Sequence, residues 1–309
     1  MKCTRFCPAK VNLFLEVTGK RPNGYHELAT LFAKIDLGDW LDVDATLTPQ
    51  TSISLQVIGP QKSFIPINEN NLVCKAARAF LEHYAMQACI KLKLTKHIPT
   101  GAGLGGGSSD AAGVLLCLCD IFHKDPMDLI DTAAHLGADV PLFLYPQTFL
   151  KGEGIGEKLT PCCSTENLPH LVLIYPRTAV STQKVFAHMI VPSSKDILTN
   201  VTKLDKLIDV VRNGDPISKW KPLLFNRLEE YVLPFVPAVK DALAMLQQRN
   251  DGICMMSGSG STVFTLVGTK QHAQELAEKL QYTGNLVFPV SFYRGPTNAN
   301  HRNKSSSHE

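Results

Sequence analysis

Pro99-Thr100-Gly101-Ala102-Gly103-Leu104-Gly105-Gly106-Gly107-Ser108-Ser109 is the stretch on which the reading of this chain turns. Five of the seven residues from 101 to 107 are glycine. A backbone without Cβ atoms can approach a ligand closely and aim its N–H groups at it. The apolar run from Ser108 to Phe122 predicts a helix. Its first turn adds unpaired N–H groups and a partial positive charge, and the two together make an anion site suited to phosphate. Upstream, residues 89–96 (CIKLKLTK) alternate apolar and polar, which predicts a strand with one wet face. A flexible linker does not fit between a strand and a helix that abut it on both sides. Gly101, Gly103 and Gly106 satisfy G-x-G-x-x-G, but a dinucleotide site calls for a buried parallel strand before the loop. Gly101 and Gly106 also fit a Walker A loop, but Gly107 stands where its lysine belongs.

Phosphoryl transfer needs positive charge near the migrating group, and this loop carries none. Pro8-Ala9-Lys10-Val11-Asn12-Leu13-Phe14-Leu15 opens a strand at 11–17 and sets Lys10 inside an apolar run. Asp139, in Leu136-Gly137-Ala138-Asp139-Val140-Pro141, follows a helix that Pro126 opens and Gly137 ends. It is either a turn-forming carboxylate or a proton acceptor steadied by a nearby cation. Arg21-Pro22-Asn23-Gly24-Tyr25-His26-Glu27-Leu28 reads as a turn carrying two aromatic side chains. Asn70 and Asn71 are placed to cap a helix over 72–86.

Strings in four parts of the chain, in order, resemble the GHMP small-molecule kinases. The loop matches P-x-x-x-G-L-G-x-G-S-S at Pro99, Gly103, Leu104, Gly105, Gly107, Ser108 and Ser109. The G-Y-H-E-L string at 24–28 and G-A-D-V-P at 137–141 are similar to the erythritol kinase branch. The resemblance implies an α+β, two-domain GHMP kinase fold with the active site between the domains. It implies ATP and Mg²⁺, and a cytidine-diphosphate-linked methylerythritol as acceptor, in non-mevalonate isoprenoid precursor synthesis. Lys10 and Asp139 would be catalytic. Residues 99–109 with Asn71 and Lys96 would bind ATP, and Ser108 would meet Mg²⁺. As helix caps, Ser108 and Ser109 would have an ordinary role instead. Asn12, Tyr25, His26, Thr182 and Phe186 would bind the acceptor, with cytosine between the Tyr25 and Phe186 rings and His26 at its edge. Gln183 stands where the family often has proline. Met256-Ser257-Gly258-Ser259-Gly260-Ser261-Thr262 is similar to the family's last motif, a turn that closes the site.

Around these motifs, residues 51–58 predict a strand and KGEGIGEKLTPCC (151–163) a link between halves. Beyond it come a buried strand at 171–175, helices near 182–189, 203–213 and 236–248, and strand–glycine–strand over 253–267. A polar helix over 270–280 and a strand over 285–293 follow. The expected division is 1–155, 156–296 and a disordered tail over 297–309 that lacks apolar residues. A net charge of +3 is too small for a nucleic-acid partner. No apolar run approaches the roughly 20 residues of a membrane span. Nine cysteines without a C-x-x-C pair argue against structural zinc. An odd cysteine count without a signal or transit peptide points to a reducing interior, cytoplasmic or, in a plastid-bearing organism, plastidic.

Overall fold

A computed structural model describes residues 1–63, 65–249 and 252–295, and the expected tail lies outside these. The strands are β1 (Lys2–Lys20), β2 (His26–Leu47), β3 (Ser52–Ile58), β4 (Ala88–Thr95), β5 (Phe149–Gly154), β6 (Lys158–Cys162), β7 (His170–Tyr175), β8 (Phe225–Asn226), β9 (Cys254–Met256), β10 (Val263–Val267) and β11 (Leu286–Ser291). The helices are α1 (Leu72–His83), α2 (Gly106–Phe122), α3 (Ile130–Leu136), α4 (Thr182–Ala187), α5 (Ser194–Asn213), α6 (Ile217–Trp220), α7 (Glu229–Val232), α8 (Pro237–Arg249) and α9 (Lys270–Leu280). The first sheet runs β3-β4-β2-β1-β8, with β5 on β2 and β6 beyond it. The second runs β11-β7-β10-β9. No described helix is long and apolar enough to cross a membrane.

The long hairpin of β1 and β2 is the spine. β1 follows β2 from Lys2 to Lys20, while β2 hands its other edge to β4 over Trp40–Leu47 and to β5 over Leu28–Ala33. Helices α1 and α2 bury Val73, Ala77, Phe80, Val114 and Leu118 against Leu41, Val43, Ile90 and Leu92. A second core joins the two sheets directly: Val11, Leu13, Leu31 and Phe149 meet Leu171, Leu173, Phe264 and Leu266. Fully burying side chains of this size contributes about 1.5–3 kcal/mol each before entropy is counted. The sheets are therefore held in one relation by apolar contact.

Several expectations shift. Residues 151–163 form the β5–β6 hairpin of the first sheet instead of a link, so the division expected after 155 falls in its turn. Gly152 is required there, because a Cβ would lie 2.6 Å from the Phe32 ring, and Gly154 and Gly156 turn with φ of +71° and +105°. Strand β1 is longer than 11–17, and β2 had no sequence counterpart. Buried Lys10, Glu16, Lys34 and Asp39 break the apolar alternation in both. Helix α1 stops at His83 instead of 86, and α5 starts at Ser194 instead of 203, where Ser193 caps it.

Candidate active site

Helix α2 begins at Gly106, two residues before the expected start, because Gly105 takes the left-handed N-cap position with φ +70°. No side chain caps it. Ser109, one of the two expected caps, instead sits inside the helix with its hydroxyl buried and unpartnered. The N–H groups of the first turn thus stay available to a ligand.

Two cavities meet on this loop. The larger, about 820 Å³, holds Lys10, Asn12, Tyr25, His26, Asp139, Thr182 and Phe186 in its wall. The smaller, about 380 Å³, is lined by residues 98–108 with Asn71, Lys96 and Asp110. Gly103, Gly105 and Ser108 belong to both walls. All expected site residues except Ser109 therefore line one cavity or the other.

In the larger cavity, irregularities in β1 at Pro8/Ala9 and Asn12/Phe14 flank Lys10 and Asn12. Such bulges re-aim side chains near active sites. The Lys10 ammonium donates to Asn12 Oδ1 at 2.9 Å and lies 3.6 Å from Asp139 Oδ2. Asn12 Nδ2 donates to Thr30 Oγ1 at 2.9 Å, and Thr30 donates onward to the Phe14 carbonyl. The amide is thereby fixed with its oxygen toward the lysine. The Lys10 backbone N–H also donates to the Leu104 carbonyl at 2.9 Å, which ties the loop to the strand.

The third glycine element closes over this arrangement. Thr262 donates its N–H to the Ala102 carbonyl at 3.2 Å, and Ser257 Oγ accepts the Asn12 N–H at 3.3 Å. Asn226 Nδ2 donates to the carbonyls of Met256 and Gly258 at 2.7 and 2.8 Å. Glu229 Oε1 accepts the Met256 N–H at 2.6 Å. Burial pushes the Glu229 carboxyl up to about 7. Thr182 and Ser259 share a hydroxyl hydrogen bond of 2.7 Å across the cavity wall.

At the far end Tyr25 is 59% exposed, while His26 is buried with Nε2 unpartnered. Burial, with the charge of Lys20, holds the His26 imidazole below its ordinary value, so it is neutral near pH 7. Phe186 stacks on His26 with centroids 5.3 Å apart and packs against the core beneath the second sheet. Phe186 faces His26, and Tyr25, the other ring expected to hold cytosine, lines the same cavity.

In the smaller cavity, Asn71 caps α1 by accepting the Val73 N–H at 3.0 Å and donates to the Pro66 carbonyl. Lys96 is buried and ion-paired with Asp39 and with Asp110, the latter at 2.7 Å. Burial alone would lower the Lys96 ammonium, but the carboxylates of Asp110 and Asp39 hold it above its ordinary value. Burial and the Asp39 charge push the Asp110 carboxyl up to about 8 against the pull of Lys96. Neither aspartate was singled out in the sequence. Asp39 lies in the unrecognised β2, and Asp110 reads as an ordinary helix residue. Among the described residues no cluster of three His, Cys, Asp or Glu side chains could hold a metal ion.

The family model described as GHMP kinases N terminal domain matches residues 71–147, and that described as GHMP kinases C terminal matches 208–286. The chain is 38% identical to a 4-diphosphocytidyl-2-C-methyl-D-erythritol kinase of Roseobacter denitrificans, over 89% of this chain and 88% of the relative. It is 37% identical to the Deinococcus radiodurans enzyme of that name, over 89% and 87%. A crystal structure of 4-(cytidine 5'-diphospho)-2C-methyl-D-erythritol kinase superposes with a TM-score of 0.76 at 31% identity, covering 96% of this chain and all of that one. The homoserine kinase of Cytophaga hutchinsonii, at 17% identity and a TM-score of 0.73, shares the fold.

Proposed function

We propose a reaction from the premise that this chain belongs to the GHMP kinase family and, within it, to the 4-diphosphocytidyl-2-C-methyl-D-erythritol kinases. It transfers the γ-phosphoryl group of ATP to the 2-hydroxyl of 4-diphosphocytidyl-2-C-methyl-D-erythritol, a step of non-mevalonate isoprenoid precursor synthesis. The observation that carries the site assignment is the pair of cavities that share Gly103, Gly105 and Ser108, with Lys10 and Asp139 on the larger side only.

ATP lies in the smaller cavity, its phosphates on the N–H groups of the loop and of the first turn of α2. The acceptor lies in the larger cavity with its cytosine at Tyr25, His26 and Phe186 and its 2-hydroxyl at Asp139. Neutral His26, in the wall at that end of the cavity, meets the edge of the base. Asp139 takes the hydroxyl proton as the new P–O bond forms and the bond to ADP breaks. Lys10, held by Asn12, stabilises the charge that develops between the attacking oxygen and the phosphoryl group. Ser108, in the wall of both cavities, is the residue that would meet an Mg²⁺ ion brought with the ATP phosphates. That ion would neutralise phosphate charge. The 1–155 and 156–296 division assigns the phosphate loop and base to the first domain and one wall of the acceptor cavity to the second.

Steady-state inhibition by cytidine diphosphate tests the assignment of the cavities. It should compete with the acceptor and not with ATP. Competition against ATP alone would reverse or remove the two-cavity assignment.

A further inference from the structure

We propose that Asp39, Lys96 and Asp110 form a clamp beneath the phosphate loop that fixes its nucleotide-binding shape, with Asp39 acting on ATP affinity through the loop and not by contact. This inference rests on the reading of the loop as a phosphate site.

The loop leaves β4 at Lys96–Ile98 and ends in the first turns of α2, where Asp110 sits. Asp39, on the neighbouring strand β2, is 0% exposed. Its Oδ1 accepts the N–H groups of both His97 at 2.5 Å and Ile98 at 2.9 Å, which sets the backbone path into Pro99. Its Oδ2 accepts the Lys96 ammonium, which donates at the same time to Asp110 Oδ2 at 2.7 Å. One carboxylate on a strand therefore fastens both ends of the loop. The ammonium lies below the start of α2, 3.4 Å from where a Gly106 Cβ would stand.

Two physical points favour positioning over the alternatives. The Lys96 ammonium spends two of its three N–H donors on the buried carboxyl groups of Asp39 and Asp110, which fixes its place beneath the loop. Stability does not account for the cluster, since apolar residues can replace a buried ionic group at little or no cost. What apolar residues cannot do is hold backbone N–H groups and a lysine in one fixed geometry. Phosphate recognition by backbone donors needs placement within about 0.5 Å.

Asp39→Asn and Asp110→Asn test the clamp, read by calorimetric ATP binding and by the two KM values. Remote displacements of about 1 Å can cost around 100-fold, so a smaller shift of the loop predicts a rise of about tenfold in the Kd for ATP in Asp39→Asn. Asp110→Asn should show a smaller rise of the same kind. The KM for the acceptor should stay within about twofold in each, and the double variant should lose less than the sum of the two, as for groups in one network. If Asp39→Asn does not fold, Asp110→Asn decides. Unchanged ATP affinity in folded variants, equal rises in both KM values, or full additivity would overturn the clamp. Failure of the parent protein to bind ATP would instead overturn the reading of the loop on which the clamp rests.

Discussion

Replacing Gly103 with alanine probes the junction of the two cavities with the smallest possible change. Gly103 has φ +74°, where an L-residue costs about 1–2 kcal/mol more than glycine. A Cβ there would lie 2.5 Å from the Gly260 carbonyl oxygen and 2.8 Å from that of Ser257. Both are backbone atoms of the third glycine element, so no side chain can swing aside. Overpacking of this kind costs a further ~1–3 kcal/mol. The loop and the element that closes over it must separate by several tenths of an ångström. Thermal melting with and without ATP, plus both KM values, reads the result. Gly103→Ala should lower Tm by several degrees and raise the KM for ATP and for the acceptor together. Gly107→Ala is the control, because its Cβ meets nothing within 4 Å. It should keep the parent Tm and weaken ATP binding alone, by covering the N–H groups of the first helical turn. A folded Gly103→Ala variant with parental Tm and both KM values unchanged would refute this packing account.

Three further outcomes are expected. Asp139→Asn should keep the ATP Kd and lose about 10²–10⁴-fold in kcat; turnover within about threefold of the parent would remove the base. Tyr25→Ala should raise the acceptor KM by roughly 5- to 150-fold, from ~1–3 kcal/mol of base stacking, and leave the KM for ATP alone; equal effects on both would make Tyr25 a packing residue. The Glu229 carboxyl, raised to about 7 in the folded protein, binds a proton more tightly there than in the unfolded chain. Stability should therefore fall as pH rises from the ordinary carboxyl range to about 7, and Glu229→Gln should flatten that slope and raise Tm at pH 8. A Gln variant less stable than the parent at pH 8 would show that the ionised carboxylate is needed at Met256.

The site was more legible in the sequence than the fold that holds it. Glycines in fixed spacing, a lysine within an apolar run and an aspartate at a helix end are local signals, and each of these residues lines a cavity wall. The spine was harder to read, because β1 and β2 carry buried charges where a period of two expects apolar residues. Lys34, for one, is held near 7 by burial and donates to the Tyr145 carbonyl. The 151–163 hairpin was hidden for another reason: Gly152 is there to admit the Phe32 ring, while its letters read as a linker. Lys96 shows the limit of a motif. The resemblance put it at ATP, and only the fold brings Asp39 and Asp110 against it.

The most direct test of the account is phosphorus NMR of the products formed by the purified protein from ATP, Mg²⁺ and 4-diphosphocytidyl-2-C-methyl-D-erythritol. The account predicts ADP and, in equal amount, one new phosphomonoester on the 2-hydroxyl, with the diphosphate of the acceptor intact and no product from mevalonate or homoserine. ADP with free phosphate only, or phosphorylation of mevalonate or homoserine while the cytidyl acceptor stays unchanged, would contradict it.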